Sequence, residues 1–193
     1  MEALVAGCRD GKILAEVAII VSNEPDAPGL QKARLTRVEA QVIDHRASQT
    51  REEHDRRLHA VMTGRKIDLI CLAGYMRILS PWFVREWRGK ILNIHPSLLP
   101  AFPGLTAQED AYDYGVRVSG CTVHFVDERV DHGPIVVQRT VPVLDEDTLD
   151  TLTNRVLAEE HEAYVEAVRL FFEGRLRIVG RRVLIEGEGS TPA

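Results

Sequence analysis

Cysteine is scarce in this chain. The three present, Cys8, Cys71 and Cys121, are too few and too scattered for a disulfide framework or a zinc knuckle. Cys71 and Cys121 lie in apolar runs and read as small core residues, so a reducing, cytoplasmic compartment is the expected home. No apolar run approaches the roughly 18 residues of a bilayer-spanning helix. Positive charge is not in excess either. With 24 basic and 29 acidic residues the formal net charge is -5, which argues against non-specific nucleic-acid binding as the main task. Two arginine clusters (Arg51, Arg56, Arg57 and Arg175, Arg177, Arg181, Arg182) read as solvated helix faces and a tail. Met1-Glu2-Ala3-Leu4 carries an acid where a secretory signal carries positive charge, so export is not expected. The chain has no G-x-G-x-x-G, Walker A, H-E-x-x-H or G-x-S-x-G sequence. Of its seven histidines none is paired at the spacing of a helical metal site, so no metal is expected. His45, His54 and His59 sit in polar surroundings and read as surface residues.

What is present is an alternation of β- and α-type segments. At 193 residues and 45% hydrophobic content, the chain suits one domain over residues 1–193. Ala15 to Ser22 reads as a buried strand ended by Asn23-Glu24-Pro25-Asp26. Gly29 to Ala40 reads as a helix with Leu30, Ala33 and Leu35 inward, and Val42-Ile43 as a short strand. Ser48 to Thr63 reads as a surface helix capped by Ser48 or Thr50. Ile67 to Ala73 is the clearest parallel-type strand, ending at Gly74. Ser80-Pro81 starts another helix, and Lys90 to Ile94 is a further strand followed by a proline-rich loop to Gly104. Val116 to Val126 and Ile135 to Val143 read as an antiparallel pair at the sheet's edge. Thr148 to Gly174 is a long amphipathic helix with Leu152, Val156, His161, Tyr164, Val168 and Phe171 on one face. Arg177 to Ile185 adds a strand, and Gly187 to Ala193 is a flexible tail. The pattern implies an α/β fold with a doubly wound, mostly parallel, Rossmann-like sheet, whose ligands bind beyond the carboxyl ends of the strands.

Three segments can carry chemistry. Alternation on a strand puts Asn93 and His95 on one face, where an amide and an imidazole can both donate to a carbonyl oxygen that becomes negative under attack. On spacing alone, such a pair is structural more often than catalytic. Asp131, in Asp131-His132-Gly133-Pro134, is either a turn-former or a carboxylate aimed into the crevice. In the second case, beside His95, it would favour the imidazolium and help move a proton from an attacking amine. Finally, Gly74 lets backbone approach a flat ligand, and main-chain groups from Met76 to Leu79 could pair with a pterin-like edge; the other reading is an ordinary strand-to-helix loop.

The stretch LAGYMRILSPWFV, followed by GKILNIHPSLLPAFPGLTAQEDAYDYGVRVSGCTVHFVDERVDHGPIVVQRTVPV, resembles the folate-dependent formyltransferases. The likeness runs from about Leu4 to Arg177. His95-Pro96-Ser97-Leu98-Leu99-Pro100-Ala101-Phe102-Pro103-Gly104-Leu105 is most similar to the phosphoribosylglycinamide branch. It is less like the transfer-RNA formylases, with their Arg-Gly segment, or the formyl-folate hydrolases, which read His-His-Ser-Phe-Leu-Pro. The resemblance implies formyl transfer from 10-formyltetrahydrofolate to the amine of 5-phosphoribosylglycinamide in purine biosynthesis. It implies a catalytic trio of Asn93, His95 and Asp131. Folate contacts would come from Arg51, Met76, Arg77, Ile78, Leu79 and Asn93, and substrate contacts from His124 and Glu160. The expected partners are these small molecules, with no nucleic acid, membrane or metal; a homodimer is left open. Family members start with a further β-strand and a Gly-x-Gly-Ser-Asn-like phosphate loop, whereas Met1 aligns inside the helix that follows. The first strand is therefore expected to be missing, and an inactive folate-binding remnant is carried as an alternative.

Overall fold

The sheet forms where Val, Ile and Leu concentrate, and it is divided in two. In the computed structural model, which describes residues 1–187, helix α1 (Glu2–Arg9) precedes strand β1 (Ile20–Ser22). Helix α2 (Pro28–Thr36) leads to β2 (Ala40–Val42), which pairs in parallel with β1. Helix α3 (Arg51–Gly64) follows, then β3 (Ile70–Leu72), α4 (Pro81–Glu86) and β4 (Ile91–His95). Next come α5 (Ala107–Tyr114), β5 (Val118–Phe125), β6 (Ile135–Pro142), α6 (Leu149–Phe172), β7 (Leu176–Val179) and β8 (Arg182–Ile185). The larger sheet has the order β3-β4-β5-β6-β8-β7, with β3 and β4 parallel and β4, β5 and β6 successively antiparallel.

Helices cover both faces of this sheet. On one, α6 buries Leu152, Val156, Ala163, Tyr164 and Val168 against Leu92, Cys121, Val123 and Phe125. On the other, α3 and α4 pack Leu58, Met62, Phe83, Val84 and Trp87 against Ile91. Each fully buried Leu, Val or Phe side chain contributes about 1.5–3 kcal/mol. The Tyr164 hydroxyl lies 2.8 Å from the Leu72 carbonyl and 2.9 Å from that of Leu92, so α6 is tied to the carboxyl end of β3 and the first half of β4. Helices α3, α4 and α6 start where small polar side chains cap them: Thr50 accepts from the Glu53 N–H, Ser80 from Phe83, and Thr148 from Thr151.

β1 and β3 do not pair with each other. Each keeps one edge without a strand partner among the described residues, and a cavity of about 720 Å³ lies between them. Its walls include Leu4, Ile20, Ile70, Leu72 and Val168.

Several expectations need correction. β5 and β6 are interior strands, because the segment expected as one strand folds back as the β7–β8 hairpin and extends the sheet through a β6–β8 pairing. The strands expected over 15–22 and 67–73 are three residues each, since regular pairing persists only where a neighbour lies alongside. Helix α2 stops at Thr36, where Arg37 turns left-handed at φ 58°, and Leu35 is exposed while Leu30 and Ala33 are buried. On α6, His161 is exposed; the buried face runs instead through Ala163, Tyr164 and Ala167. His54 is wholly buried, under the segment that follows β3. Helix α5 was not expected. Of the expected flexible tail, residues 188–193 lie outside the described part.

Candidate active site

β4 carries Asn93 and His95 on one side, and its antiparallel register sets Asn93 opposite His124 and His95 opposite Thr122 on β5. The Asn93 amide nitrogen is 3.2 Å from His124 Nε2, and His124 Nδ1 is 2.9 Å from the Phe125 carbonyl. A carbonyl only accepts, so Nδ1 holds the ring proton and Nε2 accepts from Asn93. Burial pushes the His124 pKa down, so the ring is neutral near pH 7 and can play this acceptor role. That bond fixes which way the Asn93 amide faces and leaves its second N–H for a ligand.

His95 is buried, and its Nε2–H donates to the Phe102 carbonyl at 2.8 Å. Its other nitrogen, Nδ1, lies 3.5 Å from Asp131 Oδ2, and Asp131 Oδ1 lies 3.8 Å from His124 Nε2. The Asp131 side chain is only 12% exposed, and its Oδ2 accepts the Gly104 N–H at 2.8 Å. Of the two readings of this residue, the inward carboxylate is the observed one. Asn93, His95, His124 and Asp131 therefore converge at the carboxyl end of β4.

Two loops hold this arrangement. Thr122 Oγ1 donates to the Ser97 carbonyl at 2.7 Å and accepts the Leu99 N–H at 3.0 Å, while the Gln138 amide donates to the Leu99 carbonyl at 2.9 Å. Across from it, Asp131 adopts φ 49°, a left-handed conformation that Asp tolerates better than most residues. Two residues on, a Cβ at Gly133 would stand 1.8 Å from the Phe125 carbonyl oxygen, so only glycine lets the turn fold this tightly. A bulge between Val123 and His124 shifts the β5–β6 register beside the site.

The remaining expected residues lie further out. Met76 and Ile78 are 70% and 57% exposed, Arg77 is half-buried and Leu79 is buried, so the strand-to-helix segment is partly core and partly open surface. Arg51 is exposed at the first position of α3. Glu160 shares no hydrogen bond with the trio among the described residues; its electrostatic neighbours are the Met1 amino group and Cys121. Burial raises the Glu160 pKa to about 6. The parts missed from sequence are mostly backbone: the Phe102 carbonyl and the Gly104 N–H. Thr122, a hydroxyl between the apolar Cys121 and Val123 on β5, is a missed side chain that left a signal.

A raised carboxyl pKa means that the folded protein holds this proton more tightly than the unfolded chain. Glu160 therefore costs no stability below pH 4.5 and a growing amount as pH rises through about 6. Glu160→Gln is expected to raise the melting midpoint by about 2–4 °C at pH 8 and hardly at all at pH 4.5. Scanning calorimetry at the two pH values checks this; an equal shift at both would contradict it.

The fold and the site together define an α/β protein in which an amide, two imidazoles and a carboxylate gather at the carboxyl end of β4. The chain belongs to the formyl transferase family, whose model matches residues 1–168. It is similar to glycinamide ribonucleotide transformylase 1 from Symbiobacterium toebii, with a TM-score of 0.94, 50% identity, and coverage of 96% of this chain and 88% of that one. The phosphoribosylglycinamide formyltransferase of Escherichia coli is 38% identical over 192 residues, covering 100% of this chain and 91% of that protein. The trifunctional purine biosynthetic protein adenosine-3 of Drosophila melanogaster is 47% identical over 176 residues, covering 90% of this chain; the chain spans only 13% of that protein's length.

Proposed function

We propose that this chain, acting as one domain, transfers a formyl group from 10-formyltetrahydrofolate to the primary amine of 5-phosphoribosylglycinamide, a step of purine biosynthesis carried out in the cytoplasm. The observation that carries the reading is the convergence of Asn93, His95 and Asp131, with His95 Nδ1 and Asp131 Oδ2 3.5 Å apart. The amine nitrogen attacks the formyl carbon, and the bond from that carbon to N10 of the folate then breaks. As the formyl oxygen gains charge it accepts from the free N–H of Asn93 and from His95, whose Nδ1 is the nitrogen not committed to Phe102. Asp131 supplies the counter-charge when Nδ1 is protonated, and its carboxylate guides the proton lost by the amine toward the leaving N10.

The 76–79 segment is assigned to the folate ring, with Arg51 at the mouth and Glu160 on the side of the amine substrate. Those positions rest on the family's motifs and on the open backbone and exposed apolar side chains after β3. The reading needs no covalent enzyme intermediate.

Purified protein given 10-formyltetrahydrofolate is expected to consume it only when 5-phosphoribosylglycinamide is present. Water alone and charged transfer RNA serve as the control acceptors. Consumption with water alone would make the protein a hydrolase, and donor binding without transfer to any acceptor would favour a binding remnant.

A further inference from the structure

Eight residues, 73–80, join β3 to α4, and two consecutive side chains of α3 meet opposite ends of its 75–80 part. His54 Nε2 lies 3.3 Å from the Tyr75 hydroxyl. Asp55 Oδ2 accepts the Ser80 N–H at 2.5 Å. Both α3 residues are out of solvent, His54 at 0% and Asp55 at 1% relative exposure. A buried carboxylate that accepts a backbone N–H makes a charge-assisted bond, stronger than a neutral one. Ser80 also caps α4 through its side chain, so the same residue closes the loop and opens the helix.

Between these two anchors the chain is free. Among the described residues, no backbone N–H or carbonyl from Met76 to Leu79 bonds to another part of the protein. Met76 and Ile78 face outward, while the Arg77 Nε and His54 Nδ1 atoms are buried without a hydrogen-bond partner. A segment fixed at its ends and unsatisfied in its middle has backbone donors and acceptors to offer a ligand, provided the ends do not drift.

We infer that His54 and Asp55 are positioning residues for the formyl donor, holding the two ends of the 75–80 loop so that its unpaired backbone groups stay aligned toward the donor's ring. The inference rests on the assignment of that loop to the folate. Neither side chain touches the reacting atoms. Their contribution is to donor affinity: removing one anchor lets the loop sample other conformations, and ordering it again on binding weakens affinity.

The test uses the whole chain and 10-formyltetrahydrofolate as the probe, with Kd from calorimetry alongside kcat and both KM values. Asp55→Ala and Tyr75→Phe release one end each; the second is mild enough to fold if the first is not. Each is expected to raise Kd and KM for 10-formyltetrahydrofolate by about tenfold, the scale of one lost hydrogen bond, with kcat and the KM for the amine within about twofold. Asp55→Asn, whose amide oxygen still accepts from Ser80, restores most of the loss. Hydrogen exchange of the ligand-free protein is faster at residues 76–80 in both weakened variants. Unchanged donor affinity in both variants overturns the inference, as does a parallel fall in every kinetic parameter that Asp55→Asn does not rescue. If the unaltered protein itself binds no 10-formyltetrahydrofolate, the folate reading of the loop fails and the inference fails with it, a result distinct from a binding protein with indifferent variants.

Discussion

Replacing His95 with alanine is expected to lower kcat for formyl transfer by roughly 10²–10³-fold, the usual cost of losing one donor to a developing oxyanion. The expectation follows from how the ring is used. Its Nε2–H is taken by the Phe102 carbonyl, and the other nitrogen faces Asp131 and the open end of β4. The substitution also strips Phe102 of a partner, so the loop to Gly104 loosens and the folded protein loses about 1–3 kcal/mol. Steady-state kinetics separates the two effects: a loose loop raises KM, whereas a missing oxyanion donor lowers kcat at saturation. A kcat within a few-fold of the unaltered protein, with the fold intact by circular dichroism, would remove His95 from the mechanism.

The second large effect is expected at Asp131, and here two variants divide two roles. Asp131→Ala loses both the charge beside His95 and the acceptor for the Gly104 N–H. Asp131→Asn keeps an oxygen for Gly104 and loses only the charge. If the carboxylate serves proton movement, both fall by about 10²-fold in kcat. If Asp131 merely closes the loop, Asp131→Asn stays near normal and only Asp131→Ala suffers. Near-normal turnover in Asp131→Asn is therefore the outcome that contradicts the proposed chemistry.

Elements of the fold were legible in the sequence in proportion to how local their causes are. Ser80-Pro81 announced a helix start because capping is decided within four residues, and Ser80 caps α4 as expected, while of the two caps open for α3 it is Thr50 that forms. The β5–β6 pair was legible as antiparallel from its turn and alternation, but its place in the sheet was not. Whether it lies at the edge depends on β8, a distant segment that pairs with β6 near Ile135. His54 misled for a similar reason. Its sequence neighbours are polar, yet α3 turns that one side chain beneath Tyr75.

In the site, Asn93, His95 and Asp131 were recognisable by motif, and alternation placed the first two on one face. Spacing left the direction of Asp131 open, because a turn acid points wherever its backbone sends it. The left-handed φ at Asp131 and the forced glycine at residue 133 settle that direction. The groups that hold the trio, the Phe102 carbonyl and the Gly104 N–H, are main-chain atoms and have no signature in side-chain identity.

The seam between β1 and β3 bears on how this polypeptide behaves in a tube. Each rim offers a short row of amide groups with no strand partner among the described residues, so two molecules that meet rim to rim gain the ladder bonds that neither makes alone. Such encounters grow with the square of concentration. Charge repulsion opposes them least near the isoelectric point of about 5.8. Dilute, alkaline solutions thus keep the molecules apart, and an extended apolar peptide that zips into the seam would act as a solubiliser.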